Sequence, residues 1–312
     1  LSDWKGYSFA IAAVFIWTGF ILVSRMGGIS DLQSGDIVAL RYLVSSLILA
    51  PLWFRYRFNL FNQKLVALSL TGGLAYSLTV YKGFELVPGS HAAILLPGLL
   101  PLLMTFLAVV INKEVCNTAR TIGLLVISTG MALLLLQSET ITTANLEGYL
   151  WIAAAAFCWS VFSVLLRRWN ISAWQATVSL SFFTCMFYLP YHLFTLTSRE
   201  FAVAGSSLWP QLLLQGFYQG VLASIVQMLL FVKAVEKIGA ANMGAMMGLV
   251  PVMAGTASIF IFSEPVTLIL VFGLLLVSTG TVISSGLLNP SNMFNRKQTR
   301  NQHALREYQN HQ

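Results

Sequence analysis

Stretches of roughly 17 to 25 residues, almost free of charge, recur ten times along this chain, and each is long enough to cross a hydrocarbon core of about 30 Å as a helix. Bounded by charge or by Gly and Pro, they cover about 6 to 25, 37 to 54, 65 to 81, 90 to 112, 120 to 138, 148 to 166, 174 to 197, 208 to 232, 240 to 263 and 266 to 288. A water-soluble fold has too little interior for so many. Of the 312 residues 57% are apolar and 9% charged, with a mean hydropathy of +0.75, whereas a soluble domain carries about 25% charged residues. Lipid is the expected solvent, and the expected class is an all-α integral membrane protein. The first run, from Gly6 to Ser24, is as long as the runs that follow and reads as a first helix rather than as a signal peptide. Residues 289–312 are polar, with Arg296, Lys297, Arg300 and Arg306, and read as a disordered cytoplasmic tail.

The formal charge of +7 raises the question of nucleic acid, but the cations are scattered through the gaps between apolar runs instead of gathering on one face. No nucleic-acid partner is expected. Alternate gaps face the same side, so the cations report topology. Arg25, Arg41, Lys82 and Arg199 fall on one side, and the other fourteen of the 18 Lys and Arg on the opposite side. That excess puts both termini in the cytoplasm and supports an even number of spans. Cys116, Cys158 and Cys185 lack metal-ligand spacing and are expected as free thiols.

An internal repeat is the strongest organising signal. At a spacing of 142, Gly6, Tyr7, Trp17 and Arg25 match Gly148, Tyr149, Trp159 and Arg167. At a spacing of 150, Gly89, Gly98, Pro101, Glu114 and Gly123 match Gly239, Gly248, Pro251, Glu264 and Gly273. Residues 123 to 130, GLLVISTG, return nearly unchanged as GLLLVSTG at 273 to 280. The change of spacing is placed in the gap from Ser198 to Trp209, where an insertion is tolerated. Each repeat, 6–138 and 148–288, holds five spans. An odd number makes the second enter the membrane from the opposite side, giving the inverted repeat of many secondary transporters.

With a Pro in the fourth span of each half, followed by Glu and a Gly-rich fifth span, the chain resembles the drug/metabolite transporter superfamily, specifically its EamA-type ten-helix members. The matching stretches are Leu99-Leu100-Pro101-Leu102 with Glu114 and Leu249-Val250-Pro251-Val252 with Glu264. Asn112 stands where many relatives place a Gly. The resemblance implies a central cavity between the halves, lined by spans 1 to 4 and 6 to 9. It also implies peripheral spans 5 and 10, which often make a homodimer contact.

Interruptions at matching places in two halves point to a binding site. Pro97, Gly98 and Pro101 in span 4 and Gly244, Gly248 and Pro251 in span 9 are such interruptions, with close packing of small residues as the other reading; Pro97, Gly98, Pro101, Gly248 and Pro251 are the hinge candidates. The cavity candidates are Trp17, Tyr42, Tyr76, His91, Trp159, Ser163, Gln219, Gln227, Asn242 and Met246. Gln219 and Gln227 must face the interior, where they either contact solute or hold helices together. Trp17 and Trp159 either line a cavity or pack, and His91 is either a proton-coupling group or a hydrogen-bonded structural one. Arg41, early in span 2, either binds a carboxylate or snorkels to water, and snorkelling is the preferred expectation. Glu85, Lys82, Glu114 and Glu264 sit at span ends, where anchoring or ion pairing is expected.

All three aspartates lie within the first 36 residues, so no fixed deep carboxylate awaits a metal ion. Neither a metal nor a cofactor is expected. The chain carries no H-E-x-x-H, no paired intramembrane aspartates and no Ser and His three or four residues apart on one helix face, so an enzyme is the weakest reading. The leading one is a secondary transporter that moves a small organic metabolite, an amino acid or related compound, across the inner membrane by alternating access, with export favoured. Import of a nucleoside-type or amine metabolite is the alternative.

Overall fold

The computed structural model describes residues 2–56, 59, 62–136, 143–195 and 208–285. The tail at 289–312 and most of the gap at 198–209 lie outside the described residues. Among those described, helix dominates and the segments assemble into ten rods. The first two are α1 (Ser2–Gly28) and α2 (Ser34–Tyr56). The third, α3, is a stack of Gln63–Leu68, the π-turn Ser69–Ala75 and Tyr76–Leu86. Next come α4 (Gly89–Asn112), α5 (Thr118–Leu136), α6 (Thr143–Arg168) and α7 (Ala173–Thr195).

The eighth rod, α8, stacks Trp209–Phe217, the π-turn Tyr218–Val226 and the start of Gln227–Met247. It ends at Gly239, whose φ of 82° breaks the helix inside that last segment. Glycine adopts this conformation without the steric penalty a Cβ brings. The ninth, α9, continues from the break to Met247, turns at residues 248–249 and extends as Val250–Phe262. The last rod is α10 (Leu268–Ser284), whose start is capped by Thr267 accepting from the amide of Leu270.

Nine of the ten expected spans need only small boundary changes, and span 8 runs on from 232 to the Gly239 break. Span 3 likewise continues past 81 to Leu86. The apolar run stops at the charge of Lys82, but the helix continues, and Lys82 and Glu85 form the expected ion pair, Nζ to Oε1 at 2.6 Å, within its final turn. Five helices are long and apolar enough to span a membrane by themselves. The others are broken by a π-turn or a kink, enriched in Ser, Thr and Tyr, or, in α10, only 17 residues long.

Contacts fix the direction of every rod. The Arg25 guanidinium, at the end of α1, donates to the carbonyls of Phe84 and Glu85 at the end of α3. His192, late in α7, pairs with Asp36 at the start of α2. Tyr149, early in α6, meets His91 in the first turn of α4, and Gln215, early in α8, donates to the carbonyl of Val23 near the end of α1. Glu264, beyond α9, meets the start of α4. All these atoms lie at one end of the bundle, termed the Glu264 end, so α1 runs toward it and its repeat mate α6 runs away. The two five-helix halves are inverted with respect to each other.

Repeat-related glycines hold the outer pair together. A Cβ on Gly280 would stand 2.8 Å from the Gly123 carbonyl, and one on Gly130 would stand 3.0 Å from the carbonyl of Gly273. Early in α5 therefore meets late in α10, and late meets early, which is an antiparallel crossing at backbone contact. This pair is peripheral: 28% of the best apolar stretch of α5 is buried, against 39–44% in the other four long apolar helices. Large apolar side chains such as Phe106, Leu125 and Phe260 point outward, as a lipid-facing surface requires.

Gly280→Ala is expected to lower stability by about 1–3 kcal/mol through overpacking against backbone, read as a lower melting temperature in detergent. Gly216→Ala, whose new methyl would meet only Val44 at an ordinary 3.5 Å, serves as the control and leaves the melting temperature unchanged or raises it.

Candidate functional site

The π-turns of α3 and α8 occupy corresponding places in the two halves, and α2 packs on the second and reaches the first through the Tyr42 side chain. A π-turn widens the helix and displaces carbonyls that a regular α-helix would pair, and such turns gather at functional sites. Two of these carbonyls are met by hydroxyls. Tyr42 Oη donates to the Gly73 carbonyl at 3.0 Å and shares a second bond with Ser77 Oγ at 2.7 Å. Ser224 Oγ donates to the Gln219 carbonyl at 2.7 Å. Gly73 and Gly220 allow this close assembly, since a Cβ on the first would meet Thr184 Oγ1 at 2.6 Å and one on the second Val44 Cβ at 2.7 Å.

Arg41 stands between the two turns. Its Nε donates to Ser224 Oγ at 3.0 Å and its Nη1 to Tyr81 Oη at 3.0 Å. Tyr81 passes a hydrogen bond to Gln219 Oε1 at 3.0 Å, and Gln219 Nε2 donates to Ser24 Oγ at 3.1 Å. The guanidinium carbon lies 5.9 Å from the ring centre of Phe20 and 5.6 Å from that of Tyr42, within cation–π range. Arg41 is 7% exposed, and Tyr81 and Gln219 are fully buried. Snorkelling, the preferred expectation for Arg41, is therefore overturned. By helix count Arg41 is about 10 Å from the start of α2, a reach a long side chain can span. Its direction is set by the partners on α3 and α8, which spacing along one helix does not disclose.

An aromatic group adjoins the cation. Tyr76, on the same rod as Tyr81, packs against Trp159 with ring centres 4.7 Å apart. Of the sequence candidates, Tyr42 packs on Arg41, Gln219 joins it through Tyr81, and Tyr76 and Trp159 pair with each other. Trp17 and Met246 are partly buried against the same central core. Ser163 donates to the carbonyl of Trp159 at 2.7 Å, within its own helix. Gln227 keeps its carbonyl oxygen buried with no partner among the described residues. His91 and Asn242 sit toward opposite ends of the bundle, His91 sharing a 2.7 Å bond with Tyr149 Oη and Asn242 donating to the Ile238 carbonyl. Sequence reasoning left out Tyr81, Ser24 and Ser224 altogether. The signals that could have found the site were the Gly72-Gly73 and Gln219-Gly220 pairs and a single Arg well inside an apolar span.

The two ends of the bundle differ although their sequences correspond. Helices α4 and α9 both finish on a left-handed residue, Lys113 (φ 57°) and its repeat mate Ser263 (φ 52°), and each is followed by a Glu. Glu264 accepts from the amides of Gly89 at 2.6 Å and Ser90 at 2.9 Å, capping α4 where a helix favours negative charge. Its mate Glu114 pairs with Arg167 instead. The repeat mates of Gly89 and Ser90 are Gly239 and Ala240; Ala240 is exposed, and a Cβ built on Gly239 has no atom within 4 Å.

The hinge candidates differ in the same manner. Pro97 and Pro101 lie inside the single helical element α4, whereas Pro251 opens a new segment after the turn at 248–249, where its missing amide hydrogen costs nothing. Gly98 packs against Met131 of α5, and Gly248 packs against Val282 of α10. A pocket of about 590 Å³ opens at the Glu264 end among Ser30, Gln33, Lys82 and Glu85; the buried polar chain lies deeper. Among the described residues no three His, Cys, Asp or Glu side chains converge to hold a metal ion.

Comparison with known proteins agrees with this architecture. The sequence pattern of the EamA-like transporter family matches residues 4–136 and again 146–286. Two Bacillus subtilis (strain 168) proteins named as uncharacterized transporters are similar: YetK, 26% identical over 286 residues, covering 88% of this chain and 83% of that protein, and YyaM, 25% identical over 228 residues, covering 72% and 73%. A solved crystal structure superposes with a TM-score of 0.59 at 19% identity, over 91% of this chain and 96% of the other, which is a likeness of fold.

Gln219→Leu strands Tyr81 Oη and Ser24 Oγ in the interior and is expected to cost about 1–3 kcal/mol. Gln227→Leu removes an amide oxygen that has no partner among the described residues and is expected to leave stability unchanged or higher. Melting temperatures of the two variants check the contrast.

Proposed function

The chain belongs to the EamA-like transporter family, and on that footing we propose that it is a secondary transporter which exports a small organic metabolite, an amino acid or close relative, by alternating access. The observation that carries the reading is the unequal condition of two ends built from matching sequence. Glu264 ties α9 to the first turn of α4, while Glu114 is held by Arg167, away from the start of α9. Arg25, bonded to the last carbonyls of α3, and the His192–Asp36 pair add further ties at the Glu264 end. Such an arrangement fits a carrier whose two ends are held differently in the present state. An inverted repeat supplies the opposite state by exchanging the conformations of its halves.

In that exchange Glu114 caps the first turn of α9 at Gly239 and Ala240, and Glu264 releases Gly89 and Ser90. Pro97, Gly98 and Pro101 then take up the break that Gly248 and Pro251 hold in the present state. The moving units are the repeats 6–138 and 148–288, rocking about the buried chain at Arg41. The site candidates Trp17, His91, Trp159, Ser163, Gln227, Asn242 and Met246 line the passage in this scheme. We assign the protein to the cytoplasmic membrane with both termini on the cytoplasmic side, on the strength of the fourteen cations that face it. The Glu114 end then faces the cytoplasm and the Glu264 end the opposite side. The outer faces of α5 and α10, where Leu125 and Phe272 are exposed, are the surface assigned to a homodimer contact.

Proteoliposomes holding the purified protein are expected to show saturable flux of at least one amino acid or related solute, and an absence of flux across a broad metabolite panel contradicts the reading. Labelling with an impermeant maleimide tests the gating. In a background with Cys116, Cys158 and Cys185 replaced by Ala, Glu264→Gln is expected to raise labelling of Ser90→Cys and lower that of Ala240→Cys. Equal labelling with and without Glu264→Gln contradicts alternating access through these ends.

A further inference from the structure

Arg41 is the one Arg or Lys among the described residues that is more than nine-tenths buried. Its surroundings are incomplete for a cation. A guanidinium has five N–H donors, and two hydrogen bonds are made, to Ser224 and to Tyr81. The ion pairs among the described residues join Lys82 to Glu85, Arg167 to Glu114 and His192 to Asp36, so none brings a carboxylate to Arg41. Neutral groups face it instead: the hydroxyls of Tyr81 and Ser224 and the rings of Phe20 and Tyr42. Burying a charge without an opposite charge is costly, and in a membrane interior such a residue marks a functional site. The guanidinium fork matches a carboxylate, which accepts two parallel hydrogen bonds from it.

We infer that Arg41 binds the carboxylate of the transported solute, and that the solute is an organic acid or zwitterion whose apolar body rests on the aromatic group of Phe20, Tyr76 and Trp159. This rests on the transport reading above and narrows it to one chemical class. A bound carboxylate supplies the missing negative charge from the solute itself, so the loaded and empty sites differ by a full ion pair. The site is placed to feel the gating motion, because Arg41 touches α3 through Tyr81 and α8 through Ser224, one helix from each half.

Calorimetric titration of the purified full chain with L-phenylalanine, L-tryptophan, L-leucine and phenylacetate, each beside its methyl ester, tests the inference. At least one acid is expected to bind, with its ester weaker by about tenfold or more, the size of one lost charge-assisted contact. Arg41→Gln is expected to weaken the acid by a similar factor and leave the ester unchanged, and Arg41→Lys to restore part of the loss. Absence of binding by every acid, equal affinity of acid and ester, or full acid affinity in Arg41→Gln overturns it. The acid and ester comparison uses the unaltered protein, so poor folding of a variant does not remove the test. Flux separates this inference from the one beneath it. Transport of an amine or nucleoside with none of the acids carried removes the carboxylate assignment and leaves the transporter. Arg41-dependent acid binding without flux of any solute does the reverse.

Discussion

A polypeptide immersed in hydrocarbon has no water to satisfy its backbone, so every departure from regular helix must be answered by another protein group or by a wet interior. The irregularities of this chain obey that constraint closely. The π-turn of α3 offers the Gly73 carbonyl, and Tyr42 of α2 takes it. In α8 the π-turn offers the carbonyl of Gln219, which Ser224 takes before receiving the Arg41 guanidinium. At the first turn of α4 two amides are met by the Glu264 carboxylate. Polar side chains concentrate where the backbone departs from the α-helix, and there the solute site is assigned.

The same constraint gives the glycines their meaning. Between lipid-embedded helices no hydrophobic effect draws one toward another, so close backbone contact through small residues does the work. Gly123 and Gly280, and Gly130 with Gly273, join α5 to α10 across the repeat axis. That outer seam is symmetric, while the inner helices α4 and α9 are not, one passing through its prolines as a single element and the other kinked before Pro251. One repeated sequence in two conformations is the structural form that exchange between inward and outward states takes.

Much of this architecture was legible in the sequence, for physical reasons that apply residue by residue. Spans announce themselves because lipid tolerates few charges, and inversion follows from an odd number of spans per repeat. Gly89 and Gly239 announced themselves as repeat mates, although the positive φ of Gly239 did not. The polar chain was only half visible. Gln219 was expected inside because an amide is expensive in hydrocarbon, yet nothing in the sequence separated it, bonded at both ends of its amide, from Gln227, whose oxygen has no partner among the described residues. Arg41 was misread because burial depends on which helix face meets α3 and α8, a tertiary fact. The π-turns escaped because a widened turn leaves the 3.6-residue apolar pattern almost intact. Lys82 and Glu85 pair at the span end as expected, and only the helix boundary shifts past them.

Two antiparallel halves that trade conformations about a buried cation must move their two ends in opposite senses. Spin-label distance measurements in lipid nanodiscs read this directly, with one label pair at Ile29 and Val266 on the Glu264 end and another at Val115 and Lys237 on the Glu114 end, all exposed positions. Addition of a transported solute is predicted to lengthen the first distance in a growing fraction of molecules while shortening the second in the same fraction. Distances that change together, or that do not respond to any solute the protein carries, contradict the account.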